Sequence, residues 1–260
     1  MSQDAIEIYN QGYCYYTGSD GYPLNYTKAL ECFKKSAELG VSHAMNYLGL
    51  IYEEGEVVAQ NYKIAVDWFH KAIQADSKNA YAAYNLGRMY YNGTGVEKDM
   101  TKSYQFCKAA VDLGLGNKHS VYPESCYLTG CILIEHYNNH KESVPYFVDA
   151  ATYGNIPEAW YNLGWLSENG FVPLNNPGSD AKASRDGMAR GFYEDAANLG
   201  YVEAMDAVGR LYCAYQKYDE ARLWLEKAAS MGYEPAKKRL KMIDVAQGGS
   251  LLGLFGGLFK

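Results

Sequence analysis

Residues 82–114 read AAYNLGRMYYNGTGVEKDMTKSYQFCKAAVDLG, and this stretch decides the fold. Ala82, Leu86, Gly87 and Tyr90 fall on one face at a 3.6-residue period, which predicts a helix. Asn92-Gly93-Thr94-Gly95 follows as a turn signal. Asp99 then stands at an N-cap or first-turn position, where its carboxylate meets free backbone N–H groups. A second helix runs from there to Gly114, whose freedom to adopt the left-handed region suits a helix end.

The same unit recurs along the chain. The first-helix stripe returns at Ala44, Leu48, Gly49 and Tyr52, at Ala159, Leu163 and Gly164, and at Ala204, Val208, Gly209 and Tyr212. A glycine inside a helix costs about 1 kcal/mol against alanine, so its recurrence between large apolar residues predicts close helix–helix approach. The second helix keeps a tighter register. Small residues stand at Ala29, Ala65, Ser103, Ser143, Ala189 and Ala221, and four residues later come Phe33, Phe69, Cys107, Phe147, Tyr193 and Leu225. Most copies end on glycine, at Gly40, Gly114, Gly154, Gly200 and Gly232.

The pattern A-x-x-x-LG-x-x-Y, then G-x-GV-x-x-D, then KAA-x-x-x-G resembles the Sel-one-like repeat family, close kin of the tetratricopeptide repeats. Residues 93–99, GTGVEKD, carry the best match. The resemblance implies an all-α, right-handed superhelical α-solenoid that acts as a non-catalytic adaptor or scaffold. It covers residues 5–245 as six repeats, at 5–40, 41–76, 77–114, 115–154, 155–200 and 201–232, with a capping helix at 233–247. Copy four departs from the pattern: no G-x-GV follows its first helix, and His136-Tyr137-Asn138-Asn139-His140 leads into the second. Copy five carries an insertion from Gly170 to Asp186.

The tail at 248–260, GGSLLGLFGGLFK, differs in kind, with five glycines and six large apolar residues. It reads either as a free end or as a segment that docks in a groove, with self-association as one consequence.

Composition bounds the function. A hydrophobic content of 48% argues against disorder, and a formal net charge of −6 argues mildly against a nucleic-acid partner. The first residues, MSQDAIEIYNQG, lack the basic and apolar regions of a signal peptide. No apolar run approaches the roughly 20 residues that cross a bilayer. The six cysteines form no pair that recurs between copies, so reduced thiols and a cytoplasmic location are expected. No catalytic motif stands out, so no enzyme is expected. Cys126, Cys131, His136 and His140 are metal-ligand types, but the cysteine spacing lies outside C-x₂₋₄-C, so no metal or cofactor is expected.

A binding surface is the better candidate. In solenoids of the kind the resemblance implies, the first helix of each pair lines the concave face. Its non-core positions lie three before, one after and four after the helix glycine. They include Tyr84, Arg88, Tyr91, Tyr127, Tyr161, Trp165 and Arg210, the expected partner-binding residues, and also Tyr9, Tyr13, Asn46, Glu53, Glu168 and Asp206. Tyr, Trp and Arg dominate binding hot spots. The expectation is a peptide or protein segment held on an aromatic face, with Arg88 and Arg210 orienting it. Two alternatives stand beside it. One is a regulatory subunit that contacts a complex outside the groove, and the other is a metal- or thiol-active protein.

Overall fold

Helix pairs with short turns build the chain, as the 3.6-residue stripes require. The computed structural model describes residues 3–114, 121–174 and 180–247. The tail at 248–260, and with it the docking expectation, lies outside the described residues, as does part of the copy-five insertion. In order come α1 (Gln3–Thr17), α2 (Tyr26–Glu38), α3 (Ser42–Glu54), α4 (Tyr62–Ala75), α5 (Ala80–Asn92), α6 (Met100–Gly114) and α7 (Tyr122–Glu135). They continue as α8 (His140–Gly154), α9 (Pro157–Glu168), α10 (Ala181–Asn198), α11 (Val202–Ala214), α12 (Tyr218–Ser230) and α13 (Glu234–Gln247). Among the described residues there is no strand. The chain is all-α.

Contacts group the chain into two units, Met1–Asn138 and Asn139–Lys260. The division falls in the copy-four turn that lacks G-x-GV. In the first unit each helix packs on the next, from α1 to α7. In the second, α8 packs on α9, α9 on α10, α10 on α11, α11 on α12, and α13 on both α11 and α12.

The register read from the sequence has a direct packing cause. Five first-helix glycines face the residue that stands four after the small residue of the second helix. A Cβ on Gly49 would lie 2.4 Å from the Phe69 ring, and one on Gly87 would lie 2.4 Å from Cys107 Sγ. Gly164 meets Tyr193, Gly209 meets Leu225 and Gly12 meets Phe33 in the same way. Glycine is therefore the helix-weakening choice that lets a large side chain fill the interhelical space. Phe33, Phe69, Cys107, Tyr193 and Leu225 are accordingly buried.

The turns explain the remaining signature. Gly93 caps α5 at φ 71° and its N–H donates to Met89 O. Gly95, at φ 73°, lies so near the carbonyl of Tyr62 that a Cβ would sit 2.4 Å from its oxygen. Asp99 takes the N-cap position expected of it, its Oδ1 accepting from Lys102 N at 2.9 Å. Asn25, Asn61, Asn79, Asn139 and Asp180 cap other helices with the same kind of bond. At the other end α13 buries Ala236 and Ile243 against the second unit's core and leaves Lys237, Lys238 and Lys241 exposed.

Candidate functional site

The first helices carry a ladder of polar links between successive copies. Arg88 on α5 donates both guanidinium arms to the Glu53 carboxylate on α3, each at 2.7 Å. Arg210 on α11 does the same to Glu168 on α9, at 3.0 and 2.6 Å. The two pairs obey one rule. A glutamate four residues after one copy's helix glycine holds the arginine one residue after the next copy's. A second link joins other copies: the Tyr16 hydroxyl donates to Glu54 at 2.8 Å, and Tyr91 donates to Glu135 at 2.6 Å. The Tyr193 hydroxyl adds a bond to Glu168 at 2.7 Å. Arg239 of α13 neutralises Asp206 at 2.9 Å.

Both arginines expected to orient a ligand thus have carboxylate partners within the chain. Bidentate geometry is the strong form of this bond. The carboxylate bond raises the Arg88 guanidinium's pKa above its usual value, more than burial lowers it. These arginines hold neighbouring repeats in register. The sequence contained the signal, because Glu53 and Glu168 stood on the same stripe, but only the stagger of adjacent helices pairs them.

The remaining expected aromatic positions, Tyr84, Tyr127, Tyr161 and Trp165, are spread along the chain. Tyr84 is half-buried against Cys107, Leu128 and Ile132. Tyr127 is half-buried on α7. Tyr161 lies 5.3 Å, centroid to centroid, from both Tyr193 and Tyr201. Trp165 is exposed and packs near His140 and Phe171, at 5.5 and 6.2 Å.

In the first unit the structure brings together a set that the sequence reading only half assembled. A cleft of about 380 Å³ is lined by Tyr9 and Tyr13 of α1, His43, Asn46 and Tyr47 of α3, and Tyr81 of α5. Tyr9, Tyr13 and Asn46 lay on the predicted stripe. His43 and Tyr81 stand six residues before their helix glycines, one turn beyond the positions considered, and a longer stripe would have found them. Tyr47 is anchored from below by stacking on buried Phe33, at 4.9 Å and 13°. Tyr13 meets it edge-on at 5.8 Å, and His43 meets Tyr81 edge-on at 6.0 Å. Tyr13 and Tyr81 remain exposed. Burial, with the neighbouring phenols of Tyr13 and Tyr81, pushes the Tyr9 hydroxyl up to about 12.

A profile of the Sel1 repeat matches residues 8–41, 42–77, 80–115, 157–201 and 202–233. The chain belongs to the Sel1 repeat family. The copy-four region falls outside the Sel1 matches, in keeping with its missing glycine signature, although α7 and α8 form there. The Sel1 chain is 26% identical over 255 residues to chitin synthase regulatory factor 3 of Schizosaccharomyces pombe, covering 91% of this chain and 25% of that protein. It is 32% identical over 120 residues to cytochrome c oxidase assembly factor 7A of Xenopus laevis, covering 44% of this chain and 51% of that protein. The chain therefore spans about a quarter to a half of these curated relatives. A crystal structure of a Sel1 repeat protein from Oxalobacter formigenes shares the fold, with TM-score 0.65 and 24% identity over 88% of each chain.

Sel1 repeats are typically protein-interaction modules. Among the described residues no helix is long and apolar enough to cross a membrane. Among them, too, no three His, Cys, Asp or Glu side chains are placed to hold a metal ion.

Proposed function

We propose that this chain is a protein-interaction module whose first-helix faces hold a segment of a partner protein. The carrying observation is the aromatic cleft between α1, α3 and α5, where exposed Tyr13 and Tyr81 flank the Phe33-anchored ring of Tyr47. Rigid aromatic rings supply contact area at low entropic cost, and pre-positioned rings leave little to order on binding. The expected residues Tyr84, Tyr91 and Tyr127 in the first unit, and Tyr161 and Trp165 in the second, stand at the corresponding first-helix positions of later copies. Arg88 and Arg210 serve these faces indirectly, by fixing the spacing of the helices that present the rings.

The relatives' names, a regulatory factor and an assembly factor, support a module that acts through another protein. A cytoplasmic setting goes with this reading. Self-association through the tail at 248–260 is a separate proposal, read by light scattering on a chain that ends at Gln247.

The test places a photo-crosslinking residue at Tyr81 or Trp165, and for comparison at exposed Leu223 on α12. Crosslinks to one partner polypeptide from Tyr81 or Trp165, and not from Leu223, are expected. Crosslinks from Leu223 alone would move the binding surface to the second helices.

A further inference from the structure

The cleft between α1, α3 and α5 is lined by four phenols, an imidazole and an amide, and by no Asp, Glu, Lys or Arg. Among the described residues the hydroxyls of Tyr9, Tyr13, Tyr47 and Tyr81 have no hydrogen-bond partner. Asn46 adds a donor whose orientation follows from its neighbours. Arginine can only donate. Arg88, gripped by Glu53, makes a long contact to Asn85 at 3.5 Å, so the Asn85 atom facing it is the carbonyl oxygen. The Asn85 NH₂ therefore points the other way, to Asn46 Oδ1 at 2.9 Å. Asn46 is 3% exposed and its oxygen is turned to the Asn85 NH₂, so its own NH₂ is the donor it offers to the cleft. The chain Glu53–Arg88–Asn85–Asn46 thus sets the polarity of the site.

Charge narrows the occupant further. An acidic peptide would need a free cation, but both arms of Arg88 are held by Glu53. A basic peptide would need a free carboxylate, but Glu53 is held by Arg88, and Glu54 accepts from Tyr16. What remains is a neutral ligand, rich in carbonyl acceptors, with flat apolar surfaces to lie on tyrosine rings. Proline-rich segments have this chemistry. They lack most backbone N–H groups, display their carbonyls to the side, and are already extended in a polyproline II helix before binding. Aromatic grooves with a few donors are the surfaces such helices dock on.

We propose that the cleft is a binding site for a proline-rich partner segment in polyproline II conformation. Asn46 Nδ2 donates to a main-chain carbonyl, and the rings of Tyr13, Tyr47 and Tyr81 pack against pyrrolidines. This deepens, and rests on, the reading of the first-helix faces as protein-binding.

The test is a titration of the isotope-labelled full chain with N-acetylated, C-amidated decaproline, followed by nuclear magnetic resonance. The side-chain NH₂ of Asn46 and the backbone of Tyr13 and Tyr81 are expected to move most. Tyr81→Ala and Tyr13→Ala remove exposed rings and leave the core intact, and each is expected to weaken decaproline binding at least about tenfold. Asn46→Ala is expected to do the same. Because Asn46 is buried, the two tyrosine variants decide the matter if that chain does not fold. A random twelve-residue peptide library is selected on the same protein in parallel. Proline-poor selected peptides that move these residues, with no effect of decaproline, would overturn the proline inference and leave the protein-binding reading standing. Decaproline shifts confined to other surfaces would overturn it as well. If neither decaproline nor any selected peptide perturbs the cleft, both fall.

Discussion

At the scale of single residues, the first-helix glycines and the carboxylate-held arginines do the organising. Gly49 and Gly187 are both helical glycines with opposite surroundings. A Cβ on Gly49 would sit 2.4 Å from the fully buried Phe69 ring, whereas nothing lies within 4 Å of one on Gly187. Gly49→Ala is therefore expected to destabilise by about 1–3 kcal/mol through overpacking, despite the gain in helix propensity. Gly187→Ala is expected to stabilise by about 0.5–1 kcal/mol. Urea denaturation of the two variants checks both signs at once, and a stabilised Gly49→Ala would refute the close-approach account. Arg88 makes a second residue-level prediction. Its loss in Arg88→Met strands the Glu53 carboxylate, whose side chain is only 15% exposed. The expected cost is about 1–3 kcal/mol. In a double-mutant cycle with Glu53→Gln most of that cost should appear as coupling. Additive single effects would mean that the pair does not join the repeats.

At the scale of elements, the second helices depend on their caps. The Asn61 side chain accepts from Ile64 N at 3.1 Å and opens α4. Asn61→Ala is expected to cost about 1 kcal/mol, visible as a lower Tm. Asp99 opens α6 and carries a pH signature. The backbone N–H of Lys102, first among several causes, holds its carboxyl below the usual value. A depressed folded-state pKa gives stability that is present above the unfolded carboxylate value near 4 and is lost as pH falls through the folded one. Asp99→Ala is thus expected to lower Tm at neutral pH, with the difference from the parent shrinking as pH drops below about 4. A constant difference across that range would show that the charge plays no part in the cap.

At the scale of the whole molecule, 26 tyrosines make alkaline pH the destabilising condition. Burial pushes the hydroxyls of Tyr9 and Tyr201 up to about 12. It raises those of Tyr16, Tyr47, Tyr91 and Tyr193 as well, and in Tyr16, Tyr91 and Tyr193 a hydrogen-bonded carboxylate adds to the effect. A raised folded-state pKa means stability that is complete below the unfolded phenol value of 10.0 and is lost as pH rises through the folded one. Both units contain such tyrosines. Chemical denaturation is expected to give an unchanged phenol contribution up to about pH 10 and a steep fall from there to about 12. Tyrosinate absorbance should rise in step with unfolding. Full phenol titration in a chain that stays folded would contradict the buried placement.

The sequence by itself determined the helix pairs, the Asp99 cap, the register of small and large residues in the second helix, and the left-handed glycines Gly40, Gly93, Gly95, Gly200 and Gly232; Gly114, read as such an end, instead lies within α6 without a positive φ. These are local features: each follows from a spacing within one hairpin, because a helix period and a cap are settled within a few residues along the chain. It marked copy four as atypical for the same reason, and the division between the two units falls in that turn. It also put Tyr9, Tyr13 and Asn46, three of the six residues that line the cleft, on one stripe, because a helix face is legible from the same period. Tertiary structure alone decided what the residues on that face do. Glu53 and Arg88 are 35 residues apart and Glu168 and Arg210 are 42 apart, so their pairing depends on how one repeat is staggered on the next. The same stagger brings Tyr9, Tyr47 and Tyr81 from three helices to one cleft and turns the Asn46 amide toward it. A one-dimensional pattern specifies which side chains leave a helix together; distances between helices specify which of them meet.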